Sequence, residues 1–143
     1  MIDVVNLPDY TIMECNLDDL PSLIVERIKL HLLREETPYI CIASRQHMGF
    51  EVYLTTYNRI IKSTVWIERK NLNFDSKNET TSIFFSEVIG LAHEEFGKNQ
   101  HFWKLDVLCV SKKLELTFND REIFSKFVNR ILLTLNERQK NQN

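Results

Sequence analysis

The residues in this 143-residue chain with the most chemical reach are its four histidines, its three cysteines and its adjacent carboxylates. A helical zinc site needs two histidines four positions apart, so that both imidazoles leave one face. His31, His47, His93 and His101 fall on different segments without that spacing, and the expectation is scattered histidines and no metal. Cys15, Cys41 and Cys109 are odd in number and contain no C-x-x-C pair, which argues against a disulfide framework or a cysteine-rich zinc site. Cys41 and Cys109 sit in apolar strand text and read as small core residues, reduced as in a cytoplasmic protein. Asp18-Asp19, Glu35-Glu36 and Glu94-Glu95 are adjacent acids that do not face each other on a helix or a strand, so capping and solvation account for them. There is no G-x-S-x-G elbow, and Gly49, Gly90 and Gly97 are isolated, without a phosphate-cradling loop. The sequence therefore predicts a non-enzymatic protein with no catalytic residue and no cofactor.

Composition sets the frame for these residues. A content of 43% hydrophobic and 27% charged residues suits one globular domain spanning 1–143, and 18 basic against 20 acidic residues give no overall attraction to nucleic acid or anionic lipid. The start "MIDVVNLPDYTIMEC" lacks the basic region of a signal peptide, and no apolar run approaches the roughly 18 residues of a membrane span.

The segment "NLDDLPSLIVERIKLHLLREETP" predicts a helix over 19–35, with Asp18 or Asp19 as cap, Pro21 in the first turn and Pro38 as a stop. Strands are predicted across 38–118: "YICIASRQ" and "GFEVYLTT" as a hairpin, then "RIIKSTVWI", with "ERKNLNFDSKNET" as a loop. "TSIFF", "VIGLAHEE", "HFWKLDVLCV" and "LELTF" bring the count to seven. A second amphipathic helix is expected over 119–139, with Phe124, Phe127, Val128, Ile131 and Leu135 on its apolar face. Asn119 and Glu122 form a variant capping box at its start, Glu122 pairs with Lys126, and residues 140–143 form a frayed tail.

Seven antiparallel strands followed by one long helix is the element order of the pleckstrin-homology-like (PH-like) barrel, and the local text is similar to that family. "VYLTTYNRIIKS" resembles the strand-turn-strand of bacterial PH-like and GRAM-related domains, in which a strand ends in Leu-Thr and a polar pair precedes Arg. "SIFFSEVIGLAHE" and "LELTFNDREIFSKFVNRI" resemble a later strand of that family and its final strand running into the helix, so the likeness covers residues 36–137. It implies an α+β, mainly β, PH-like barrel of about seven strands capped by a C-terminal helix, with an additional N-terminal helix that has counterparts in bacterial PH-like domains.

The resemblance also directs attention to binding. Eukaryotic PH domains that bind inositol phosphates concentrate Lys and Arg around the first hairpin, whereas "SRQHMG" offers Arg45 and His47 alone as anion-binding candidates. A phosphate or lipid sensor requires these to converge with Lys62 or Lys104. Basic loops at 69–70 and 111–113 are offset by Glu94, Glu95, Glu115 and Asp120, so no nucleic-acid partner is predicted. Trp66 shares a strand face with Ile60 and Thr64, opposite Val65 and Ile67, and is a candidate partner anchor unless the N-terminal helix covers it. Leu133 lies outside the main stripe of the last helix and offers a second apolar contact, to the N-terminal helix or to another copy in a homo-oligomer. The leading expectation is a protein-interaction module using Trp66, Ile60 and Leu133. A small inhibitor, such as a toxin immunity protein or a phage anti-defence protein, is the alternative.

Overall fold

The structure, a computed structural model, describes residues 1–142. Among these residues nine strands form two antiparallel sheets, where the sequence predicts seven. The first sheet contains β1 (Ile12–Glu14), β2 (Ile40–Arg45), β3 (Gly49–Thr55), β4 (Arg59–Glu68), β5 (Asn71–Asn73) and β6 (Glu79–Phe84). The ten-residue β4 pairs with β6 over Arg59–Thr64 and with β5 over Trp66–Glu68. The second sheet is the meander β7 (Val88–Phe96), β8 (Phe102–Cys109) and β9 (Lys113–Phe118), and no strand pairing among the described residues closes one sheet onto the other. Helices α1 (Ser22–Lys29) and α2 (Arg121–Gln142) complete the chain, and neither is long and apolar enough to cross a membrane.

Two of the strands had no readable signal. β1 is three residues long, too short to display alternation, and its partner β2 lies 26 or more positions away. β5 folds back on β4 through Arg69 and Lys70, whose φ angles of 51° and 60° are those of a tight hairpin turn normally marked by Asn-Gly. With Arg-Lys in that place, the sequence reads as loop.

The core divides by residue parity. Along β2, β3 and β4, Cys41, Ala43, Phe50, Val52, Leu54, Ile61 and Val65 point to one face, where they pack with Leu20, Ile24, Val25 and Ile28 around α1. Ile40, Ile42, Tyr53 and Ile60 point to the other, against Leu105, Val107, Leu116 and Phe118 of the second sheet and Phe124, Phe127 and Ile131 of α2. Ile60 is therefore a core residue, fully buried, and not part of the partner surface expected from its strand face.

Tyr53 joins the layers. Its hydroxyl has Glu51 Oε1 (2.6 Å) and the Thr117 carbonyl (3.1 Å) as acceptors for its single proton, the nearer carboxylate first, and it accepts from the Thr117 N–H (3.2 Å). Thus an outward backbone site on edge strand β9 is satisfied by a side chain of the other sheet. Burial and the neighbouring Glu51 carboxylate hold this phenol well above its ordinary pKa, so it stays a neutral donor.

Helix α1 is much shorter than the expected 19–35, and the cause lies at the corner between β3 and β4. Glu36 and Arg59 form a buried ion pair (Nε to Oε2, 3.0 Å), with side chains 2% and 7% exposed. Thr56 Oγ1 donates to the same carboxylate oxygen at 2.5 Å, the Leu33 N–H donates to the other at 2.9 Å, and Arg59 Nη1 donates to the His31 carbonyl at 2.7 Å. These side chains take up backbone groups that a longer helix would use, so α1 ends at Lys29 and residues 30–36 wrap the corner.

The start of α2 also differs from expectation. Asp120, not Asn119, caps it, its Oδ1 accepting the Ile123 N–H at 3.0 Å, while Asn119 Nδ2 donates to the Tyr10 carbonyl. Lys126 pairs with Glu14 of β1 in place of Glu122. The helix runs on through Lys140–Gln142, the expected frayed tail, and Asn143 lies outside the described residues.

Tyr53→Phe deprives both Thr117 backbone groups of their partner and should lower stability by about 1–3 kcal/mol in urea unfolding; a loss below about 0.5 kcal/mol would show that this bridge does not hold the sheets together. For Glu36, burial pushes the carboxyl pKa up, but the hydrogen bonds from Thr56 and Leu33 and the Arg59 charge outweigh it, leaving a net lowering. A lowered folded-state value stabilises fully above the unfolded value of about 4.3 and is lost as pH falls through the folded value. Glu36→Gln should cost about 3–5 kcal/mol at neutral pH by stranding Arg59, and the gap to wild type should narrow below about pH 4. A gap that does not change with pH contradicts this.

Candidate functional site

The face of β3 and β4 that carries Tyr53 and Ile60 continues through Glu51 and Lys62 to Gly49, Thr64 and Trp66. The second sheet covers only its first part. Lys62 Nζ marks the rim, donating to the Glu115 carbonyl of β9 at 2.8 Å. Beyond it, Glu51 and Thr64 floor an open cleft of about 380 Å3, walled by Trp66, Met48, His47, Gln46 and Tyr10.

Trp66 is 47% exposed, and α1 does not cover it, because α1 packs on the opposite face against Ile61 and Val65. Its indole N–H donates to the Lys77 carbonyl (3.0 Å), and its backbone N–H donates to Asn78 Oδ1 (3.0 Å). The ring is thereby fixed with its polar atom satisfied. Across the strand pair stands Gly49, so no side chain lies against the indole from that position. Met48, at the hairpin tip, is 59% exposed and accepts the Ile67 N–H through its carbonyl.

Tyr10 closes the other wall. It adopts a left-handed backbone (φ 67°), unusual for a residue with a bulky side chain, and is held there by donating its N–H to the Arg45 carbonyl at 2.7 Å and by Asn119 on its own carbonyl. Its ring meets Phe102 edge-on, with centroids 5.9 Å apart.

The anion candidates lie beside this cleft but are not free. The Arg45 side chain is 9% exposed; its Nη1 donates to the carbonyls of Gln46, His47 and Gly49, and its Nη2 lies 3.8 Å from Asp9 Oδ1. His47 Nδ1 is 2.7 Å from the other Asp9 oxygen. Arg45 thus staples the β2–β3 hairpin, and Asp9 offsets what positive charge remains. Lys62 and Lys104 do not converge on them; both turn toward Glu115, with Lys62 also 3.4 Å from Glu51 and Lys104 3.8 Å from Glu94.

Trp66 and His47 therefore share one cleft, Arg45 lies behind it, Ile60 is in the core, and Leu133 is half exposed on α2 beside Leu132. Sequence reasoning missed Tyr10, Met48 and Asp9. Only Tyr10's unusual φ distinguishes it, and that is invisible in the text. Thr64 Oγ1, on the cleft floor, donates to Glu51 at 3.3 Å, and among the described residues no histidine is hydrogen-bonded to a cysteine. His93 and His101 pack against Phe124 and Trp103 instead. The arrangement suits contact with an apolar or aromatic group.

No protein-family model matches the chain, and no curated protein or solved structure is significantly similar to it.

Arg45→Lys keeps the charge but loses the fork that reaches the hairpin carbonyls, and should lower stability by about 1–3 kcal/mol. Urea unfolding checks this; an unchanged midpoint would return Arg45 to the role of a free anion anchor.

Proposed function

We propose that this chain is a non-enzymatic protein-interaction module of PH-like fold that seats an apolar or aromatic side chain of a partner protein in the Trp66 cleft. The observation that carries the proposal is an exposed indole whose N–H is already satisfied, so that docking covers its apolar face without desolvating an unpaired donor. Pre-orientation by Lys77 and Asn78, which hold the indole N–H and the Trp66 backbone, lowers the ordering cost of binding.

The PH-like reading draws on connectivity. A four-strand meander of β2, β3, β4 and β6, a three-strand meander of β7 to β9 and a closing helix follow the family's order, with β1 and β5 as additions. A phosphate or lipid sensor finds less support, because Arg45 Nη1 is spent on hairpin carbonyls, its Nε is buried away from the cleft surface, and Asp9 faces both Arg45 and His47. The small-inhibitor reading differs only in the partner, a toxin or defence protein. Self-association would add Leu132 and Leu133, half exposed on α2.

The test is affinity capture on the full chain with identification by mass spectrometry, then titration of the captured partner. Trp66→Ala should weaken binding about tenfold or more while leaving the fold intact, since truncating a central aromatic anchor commonly costs 2 kcal/mol or above, roughly. Equal affinity of wild type and Trp66→Ala for the same partner would refute the cleft as the site, and light scattering reads self-association separately.

A further inference from the structure

We propose that Cys15 and Cys41 form a peroxide-reactive dithiol that closes reversibly to an intramolecular disulfide. The two sulfurs lie 3.9 Å apart, and the Cys15 N–H donates to the Cys41 carbonyl at 3.0 Å, extending the β1–β2 ladder one position past the Glu14–Ile42 pair. Hydrogen-bonded antiparallel partners have Cα atoms about 5.5 Å apart, within the roughly 4.4–6.8 Å that a disulfide spans. The sulfurs need to approach by about 2 Å, through side-chain rotation and a small closing of the short β1 end onto β2.

The two thiols are placed unequally. Cys41 is buried, whereas Cys15 is partly exposed in a cleft of about 500 Å3 that Asp18, Asp19, Lys29 and Leu32 also line. Cys41 Sγ–H donating to Cys15 holds the Cys15 thiol below its ordinary pKa, against burial and the Asp19 and Glu14 carboxylates. The same contact, with burial, pushes Cys41 up. Cys15 is thus the attacking sulfur and Cys41 the resolving one.

The oxidant is a hydroperoxide, small enough to enter the cleft. The Cys15 thiolate attacks one peroxide oxygen, the O–O bond breaks, and the departing oxygen takes a proton to leave as water or an alcohol. Cys15 is then a sulfenic acid. The Cys41 sulfur attacks the Cys15 sulfur, its thiol proton joins the expelled hydroxide, and water leaves as the S–S bond forms. Two thiols and one peroxide give one disulfide, one water and one further water or alcohol.

The test treats the reduced full chain with stoichiometric hydrogen peroxide, followed by intact mass, thiol titration and peptide mapping. Wild type should fall from three free thiols to one, lose two hydrogens in mass, remain monomeric on a non-reducing gel and yield a Cys15–Cys41 linked peptide; dithiothreitol should reverse all of this. Cys109→Ser should cross-link like wild type. Cys41→Ser should stop at a dimedone-trappable sulfenic acid on Cys15, and Cys15→Ser should react at least about tenfold more slowly. A wild-type product that gains oxygen without losing hydrogens, a link to Cys109, or equal rates for Cys15→Ser and wild type would overturn the proposal. The mapping on wild type decides even if a variant folds poorly.

Discussion

Strands β2 and β3 have almost no residue facing water, and this double burial organises the whole molecule. Because side chains alternate, each central strand supplies both cores at once: Cys41 and Ala43 to the α1 side, Ile40 and Ile42 to the α2 side, with Val52 and Leu54 divided from Tyr53 in the same way. A register slip of one residue would exchange the two sets and drive Arg45, Ser44 and Glu51 into apolar packing. Open surface is therefore excluded from the middle of the first sheet. It appears where covering runs out, at the end of β4 beyond Lys62, which is where Trp66 lies.

At the opposite end of β4, polar groups are buried by design of the corner. Burying Glu36 and Arg59 costs solvation that their attraction alone does not reliably return, so the pair depends on Thr56, Leu33 and His31 to occupy its remaining lone pairs and donors. Phe84 packs beneath the guanidinium, 4.3 Å from its ring centre. The same corner receives every layer: the Asn58 carbonyl accepts the Phe85 N–H where β6 ends, and Arg138 of α2 donates to the Tyr57 carbonyl. Such a network fixes geometry more than it adds stability. It explains why "TTYNR" interrupts two strongly apolar strands with polar residues.

Much of this was readable in the text, and the rest was hidden for specific reasons. Period-two alternation placed Phe50, Val52 and Leu54 on one face and separated Trp66 from Val65, because the signal is local and repeated. The stripe of Phe124, Phe127 and Ile131 was equally plain. What escaped depends on distant partners. Helix α1 stops early because Glu36 and Arg59, up to 30 positions away, take its backbone groups; β1 exists only through β2; and β5 turns on an Arg-Lys pair that gives no hairpin signal. Ile60 and Trp66 share a face by parity, but which end of that face is covered depends on where the second sheet crosses, and parity carries no information about that. The basic residues Arg45 and His47 are legible, and their contacts with Asp9 are not.

The N-terminal strap runs from the Trp66 cleft to the Cys15–Cys41 pair. Asp9 holds Arg45 and His47, Tyr10 walls the Trp66 cleft, Ile12–Glu14 pair with β2, and Cys15 touches Cys41, all within seven consecutive residues. The strap forms one wall of the cleft. Its pairing with β2 covers three residues, and Tyr10 sits in a conformation that costs of order 1 kcal/mol and persists only because Arg45 and Asn119 hold its backbone. A covalent bond at Cys15 fixes the far end of this short ladder and so reduces the freedom of Asp9 and Tyr10 to leave the hairpin. The disulfide proposed for Cys15 and Cys41 would act on the same short segment that carries the cleft wall, since no glycine lies between Tyr10 and Cys15 to uncouple the two ends.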